Sequence, residues 1–343
     1  MTSFTVVTLA DRLRAALQRR GGDLAAVYAR FLSDGASFGA RVARALAALP
    51  LVPGQDALFT YNTGALEPLL ELSGRGIDTL LSQIDPGRVE EALVEEERAR
   101  WPGWEGAGER VPAAYFERME REWSAASRVL VNSEWSRRAL IEQGVAPAKL
   151  VVVPLAYEPA GAPPTRRIRR GRLRVLWLGL VCLRKGIPYL LEAARRLTDR
   201  PVEFTIAGPL HVTAAAVAHA PPNVRFVGRI PRDQTARVYA EADLFVFPTL
   251  SDGFGITQLE AMAQGLPVIS TPHCGEVVTD GVDGRVVAAR APEALAAAIA
   301  ALDEDRPLLA AMSAAAGAKA RTFGLERFAR GLERALPEGD FAA

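Results

Sequence analysis

Short apolar runs alternate along the chain with longer segments in which apolar positions recur every three or four residues. Runs of the first kind read as strands buried on both faces, and segments of the second kind as amphipathic helices. Their regular alternation predicts open, mostly parallel sheets covered by helices. In the first half, Phe4–Leu9 reads as a strand and Asp11–Arg20 as a helix stopped by Gly21-Gly22. Residues 24–31 fit a strand or a helix, and 35–50 read as a helix ending before Pro53. Strands follow at 56–61, 77–84, 128–132 and 149–155, with helices at 65–72, 112–127 and 134–143, the last capped by Ser133. The charged run Val89–Arg100 predicts a surface helix with Glu/Arg pairs, and Trp101–Gly108 reads as either a lid or a packed turn.

A composition break comes at Glu158–Pro164, which is rich in Pro, Gly and Ala and leads into Arg166, Arg167, Arg169, Arg170, Arg172 and Arg174. We read this as a solvated interdomain linker; contact with a membrane surface or an anionic substrate is the competing reading of its charge. A fresh series then begins: strands at 173–179, 202–207, 224–227, 244–248 and 266–270, and helices at 186–197, 292–302 and 304–321. In Leu325–Leu336, Phe328, Leu332 and Leu336 repeat at helical spacing. The expected organisation is a first Rossmann-like domain over 1–160 and a second over 171–321, with the final helix of 322–343 packed back on the first.

The 343 residues are 49% apolar and 24% charged, with a net charge of +1, so no overall field argues for nucleic acid. Two cysteines, Cys182 and Cys274, make no disulfide framework, and three histidines give no metal-site spacing. The start of the chain lacks a signal-peptide pattern and no run matches a membrane span, which predicts a cytoplasmic protein.

Candidate chemistry concentrates in Leu244–Val287. A buried strand runs into Ser251-Asp252-Gly253-Phe254-Gly255, then a short helix ending at Gly265, then another strand. A glycine turn before a helix start presents free N–H groups to an anion such as phosphate. Glu260 sits in Leu259-Glu260-Ala261-Met262-Ala263 among apolar neighbours, where a carboxylate needs polar partners. A sugar or ribose diol would supply them, since two hydroxyls can donate to one carboxylate. Upstream, Arg184-Lys185-Gly186 places two cations before a helix, suited to a diphosphate. Cations for phosphates and carboxylates for hydroxyls together fit a nucleotide-diphosphate sugar.

These residues resemble the family 4 retaining glycosyltransferases, which have the GT-B fold. The resemblance rests on Lys185-Gly186, Gly208-Pro209, Asp252-Gly253-Phe254-Gly255, Glu260-Ala261-Met262-Ala263, Gly265-Leu266-Pro267-Val268 and the Gly281–Gly284 turn. It is strong over 173–300, fair over 111–155 and poor before 55. It implies two Rossmann-like domains, with donor in the second and acceptor on the first, and no metal or other cofactor. It further implies that Lys185 contacts the donor diphosphate and that Glu260 holds the ribose. Asp252 and the backbone of Gly253, Phe254, Gly255 and Ile256 would hold the transferred sugar or phosphate. Leu180 stands where the family usually has an arginine, for which Arg184 is the candidate substitute. Asp252 replaces a more usual glutamate, and the first half contains no histidine. On the acceptor rim, Asn62, Gln83 and Asp85 are the polar candidates. The resemblance therefore implies hexose transfer from a nucleotide sugar to a glycan, lipid-linked or small-molecule hydroxyl, with peripheral membrane contact compatible with the basic run. A sugar-nucleotide epimerase, a phosphorylase and a non-catalytic nucleotide-sugar binder are the competing readings.

Overall fold

The computed structural model describes residues 24–106, 110–159 and 171–336. The strand expected at 4–9, the helix at 11–20 and Arg166–Arg170 lie outside the described residues.

The first sheet holds β1 (Ala57–Tyr61), β2 (Asp78–Gln83), β3 (Arg128–Val131) and β4 (Leu150–Val152), side by side in that order. Every pairing is parallel, with Ala57 opposite Asp78, Leu80 opposite Arg128 and Val129 opposite Leu150. Each connection therefore carries a helix. α1 (Leu24–Ala47) leads into β1, α2 (Leu66–Ser73) links β1 to β2, and α3 (Arg88–Arg100) and α4 (Ala113–Ala125) link β2 to β3. α5 (Glu134–Glu142) precedes β4. Ser133 caps α5 through its hydroxyl, which accepts from the Ser136 amide.

α1 departs from expectation. The segments read separately at 24–31 and 35–50 form one continuous helix of 24 residues. Gly35 and Gly39 lie inside it, each disfavouring a helix by about 1 kcal/mol relative to Ala. The structure shows why they are there: a Cβ on Gly35 would run into the Thr63 carbonyl. Close packing of α1 on the 62–67 segment outweighs propensity.

The second sheet is doubly wound. Its strands are β5 (Leu173–Leu178), β6 (Val202–Ala207), β7 (Val224–Gly228), β8 (Leu244–Phe247), β9 (Val268–Ser270) and β10 (Gly284–Val286). They lie in the order β10-β9-β8-β5-β6-β7, all parallel. β10 occupies residues read from sequence as the end of a tight turn. The chain winds outward from β5 to β7 and returns to β8 on the other side of β5. The winding direction thus reverses between β5 and β8, and ligands of such sheets bind beyond the strands' carboxyl ends at that reversal.

On one face α6 (Ile187–Arg195), α10 (Pro292–Glu304) and α11 (Arg306–Ala320) close a core around Trp177, Leu190, Ile299 and Met312. The other face carries α8 (Thr235–Glu241) and α9 (Thr257–Ala263), around Tyr239, Phe245, Leu259 and Met262. After a short turn at Arg321–Phe323, α12 (Leu325–Ala335) lies against the first sheet: Phe328, Leu332, Ala335 and Leu336 pack with Leu80, Leu130 and Val153. The Glu158 carboxylate accepts from the Leu325 amide at 2.7 Å, and the Tyr157 amide donates to Phe323 O at 2.8 Å, tying the crossing to the end of the first half.

α3 is more than the surface helix its charge pattern suggests. Glu97 is fully buried, accepts from Tyr189 Oη at 2.7 Å and pairs with Arg290 Nε at 2.7 Å. Both partners belong to the second half, so α3 links the two sheets. Trp101–Trp104 is a packed turn: the Thr213 amide and hydroxyl donate to the carbonyls of Trp104 (2.7 Å) and Gly103 (2.8 Å).

Candidate active site

The loops at the reversal point carry the residues singled out from sequence. Beyond β5, Leu183–Lys185 forms a single 3-10 turn, and Gly186 follows in the left-handed region at φ +72°. A Cβ on Gly186 would collide with the Pro248 carbonyl beyond β8. Glycine therefore allows the two loops to touch. Lys185, 9% exposed, is ion-paired with Asp252 and lies 5.4 Å from the centre of the Phe247 ring. Asp252 Oδ1 also accepts from the Phe254 amide at 3.3 Å. The amides of Gly253, Gly255, Ile256 and Thr257 donate to no described residue, which leaves a row of N–H groups at the start of α9 beside Lys185.

Glu260 lies in the first turn of α9 and is half-buried. Its Oε2 accepts from Tyr239 Oη at 2.9 Å. Burial and the adjacent Glu260 charge push the Tyr239 hydroxyl well above its usual pKa, so it remains a donor. Tyr157 is raised by burial and by the same carboxylate. The Tyr239 hydroxyl thus holds Glu260 from one side. Lys185, the free amides, Asp252 and Glu260 form one continuous arrangement.

Arg184 is placed differently from Lys185. Its Nη1 donates to Ser251 O at 2.9 Å and to Glu90 Oε2, on α3, at 3.3 Å. Ser251 Oγ donates to the same Glu90 oxygen at 2.8 Å. In this structure Arg184 therefore bridges the two halves. Burial raises the Glu90 pKa, with Arg184 and Ser251 opposing the shift.

Opposite these loops stand the carboxyl ends of β2 and β3. A Cβ on Gly253 would meet the Ile84 carbonyl, to which Asn132 Nδ2 donates at 3.0 Å. Trp135 Nε1 donates to Ser251 Oγ at 3.1 Å, and its ring stacks on His273 at 4.1 Å and 13°. The two halves meet closely around the Asp252 loop.

Of the acceptor-side candidates, Asp85 is the carboxylate, and one of its oxygens is uncommitted. Its Oδ1 accepts from the Gly87 amide (2.9 Å) and Gln83 Nε2 (3.2 Å), whereas Oδ2 has no partner among the described residues. Burial raises its pKa, with the Gly87 N–H and Arg184 opposing. Gln83 is 1% exposed and its amide is committed, accepting from Trp123 Nε1 at 2.9 Å while donating to Asp85. It holds Asp85 in position and does not itself face a ligand, which corrects its reading as a rim residue. Asn62 is buried, its Nδ2 3.6 Å from Met119 Sδ. Sequence reasoning missed Glu90, Tyr239 and Ser251. Glu90 is one acid in the run Val-Glu-Glu-Ala-Leu-Val-Glu-Glu-Glu, and nothing there separates it from a solvated glutamate.

A doubly wound sheet bearing cations, free amides and carboxylates at its reversal point, facing a second parallel sheet, defines a two-domain α/β protein of GT-B architecture. Residues 172–305 match the model of the family described as Glycosyl transferases group 1. The D-inositol 3-phosphate glycosyltransferase of Kribbella flavida is 30% identical over 242 residues, 63% of this chain and 57% of that protein. The lipopolysaccharide core biosynthesis mannosyltransferase LpsB of Rhizobium meliloti is 43% identical over 99 residues, 27% of this chain and 28% of that one. The chain thus spans little more than half the length of the first of these relatives and less of the second. Among solved structures, HepE of Anabaena with UDP superposes with a TM-score of 0.62 at 17% identity, covering 86% of this chain and 80% of that one. Sucrose-phosphate synthase of Thermosynechococcus elongatus gives 0.62 at 20% identity, covering 81% and 72%. Among the described residues no helix is long and apolar enough to cross a membrane.

Proposed function

We propose that the protein is a retaining, metal-independent glycosyltransferase that moves a hexose from a nucleotide-diphosphate sugar to a hydroxyl of a glycan, lipid-linked or small-molecule acceptor. The observation that carries this is the meeting of Lys185, the unpaired amides of Gly253 and Gly255–Thr257, Asp252 and Glu260 at the reversal of the second sheet. Lys185 and the amides lie where charge develops on a departing diphosphate, and such preorganised donors stabilise it strongly. Glu260, held by Tyr239, accepts from the ribose hydroxyls. Asp252 orients hydroxyls of the hexose. In the transfer, the bond from C1 to the diphosphate oxygen breaks and the bond to the acceptor oxygen forms on the same face. The acceptor proton passes to the leaving phosphate oxygen. Asp85, across the cleft, orients the acceptor hydroxyl through its free oxygen.

A second reading, a nucleotide-sugar binder without turnover, is favoured by the commitment of Arg184 to Glu90 and by Leu180 at the position of the family's arginine. Incubation with UDP-, GDP-, ADP- and dTDP-hexoses plus a mixed acceptor pool separates them. Because HepE was solved with UDP and with UDP-glucose, the uridine donors come first. Nucleotide release with an α-linked product from an α-linked donor is the expected result. Saturable binding with no release from any donor would establish the second reading.

A further inference from the structure

We infer that the protein carries a second carbohydrate-binding site, outside the cleft, that takes a neutral hexopyranose unit of a glycan. The cavity has a volume of about 390 Å³ and lies between the Trp101–Trp104 turn and the helices α6 and α7 (Ala214–Ala218). That size falls within the range of small-ligand sites. Its walls include Trp101, Trp104, Pro188, Glu192, Arg195 and His219.

The pocket is built rather than incidental. The turn comes from the first half and the helices from the second, and Thr213 fixes the turn through the carbonyls of Gly103 and Trp104. Trp101 and Trp104 stand edge to face at 5.3 Å, and Trp101 meets Tyr189 at 5.8 Å and 88°. Tyr189 is itself locked to the buried Glu97. Neither tryptophan is fully buried, unlike Trp177. Leaving two large half-wet rings around a concave space is costly to a surface unless something covers them.

The polar groups select the occupant. No described residue pairs with the Glu192 carboxylate, although Arg195 and Arg196 follow it one turn later. Arg196 pairs with Glu293, and Arg195 Nη2 donates to His219 O at 2.8 Å. His219 Nδ1 faces the Ala215 carbonyl at 2.6 Å and must donate to it, which leaves Nε2 as an acceptor in the neutral ring. Indole faces, a free carboxylate, a guanidinium and an imidazole acceptor match a pyranose, whose C–H face is apolar and whose hydroxyls both donate and accept. A flat aromatic ligand would use the rings but not the carboxylate. A phosphate would be repelled by Glu192.

The assignment does not require the proposed transfer activity, and its test is independent of the cleft. The full chain carrying 5-fluorotryptophan is titrated with maltotriose, cellotriose, chitotriose and mannotriose while the fluorine resonances are followed, with nucleotide diphosphate binding measured separately. Saturable shifts of the Trp101 and Trp104 resonances with at least one trisaccharide are expected, weakened about tenfold in Glu192→Gln, as loss of a charged acceptor implies. His219→Ala should weaken them as well, and nucleotide binding should be unchanged in both variants. Absence of any shift up to saturating sugar, shifts undiminished in Glu192→Gln, or equal response to an aromatic such as indole would overturn the inference.

Discussion

Glu260→Gln is the most discriminating single change, because its effect can be computed from one oxygen pair. The Glu260 carboxylate spends one lone pair on Tyr239 Oη and has the remainder available for two hydroxyls of a ribose. A hydrogen bond to a charged group contributes about 1.5–3 kcal/mol. Glutamine keeps one accepting oxygen, which Tyr239 can still reach, so that buried hydroxyl stays satisfied and the fold is retained. The other oxygen becomes an NH2 group, which faces a hydroxyl donor with a donor. Losing one such bond, at about 2 kcal/mol, weakens nucleotide binding about 30-fold. Calorimetry with UDP, GDP and ADP on both proteins measures this directly. The sharper readout is the ratio between ribo- and 2′-deoxyribonucleotide affinities. It should be large in the native protein and collapse towards unity in the variant, because the two changes remove the same contact. If the variant discriminates deoxyribose as well as the native protein does, Glu260 does not hold the ribose and the orientation proposed for the donor is wrong.

Asp252→Asn should leave Lys185 without its ion partner, so diphosphate binding tightens by about fivefold, the scale of a partly exposed pair, while turnover falls; parallel calorimetry and nucleotide-release assays check both signs. Gly186→Ala places a side chain at φ +72° and against Pro248 O. It should destabilise the protein by at least about 1–2 kcal/mol, seen as a lowered thermal midpoint; an unchanged midpoint would refute the close loop approach. Glu122 is fully buried, its oxygens accepting from the amides of Thr63 (2.8 Å) and Ala65 (3.1 Å), and burial raises its pKa. Its contribution is therefore fully present below the unfolded-state pKa, about 4.3 for a glutamate, and is lost as pH rises through the higher folded value. The stability of the native protein minus that of Glu122→Gln should fall with rising pH across this window, and a difference that grows with pH would reverse the assignment.

How much of this was legible beforehand varies by element for physical reasons. Leu244–Phe247 and Leu173–Leu178 are buried strands and read as near-continuous apolar runs, so both strands could be anticipated. The Asp252 and Lys185 loops were legible because glycine at a strand-to-helix junction and an acid amid apolar residues are local signals. α1 was not, since the Ser33-Asp34-Gly35 stretch looks like a break until the packing of Gly35 against Thr63 is known. Gln83 shows the same limit from the other side. A glutamine at a strand end reads as rim polarity, and only its bond to Trp123, forty positions away, shows that it supports the Asp85 turn.

The contacts of α3 give the clearest reason to treat the two halves as one chemical unit. Lys185 is neutralised by an acid of its own domain, whereas Arg184, one residue earlier, is neutralised by Glu90 from the other. A diphosphate bound as proposed would therefore compete with two carboxylates of different origin. Displacing Asp252 rearranges only a loop that already has free amides to offer. Displacing Glu90 would also free Ser251 Oγ, one of whose partners it is, and weaken a join that Glu97 and Arg290 hold further along the same helix. Asp85 lies close enough to Arg184 for that cation to oppose its pKa shift, so the acceptor-side acid senses the same arginine. Attachment of α3 and the ionisation of Asp85 thus share one guanidinium, and an anion bound there as proposed would alter the field acting on both.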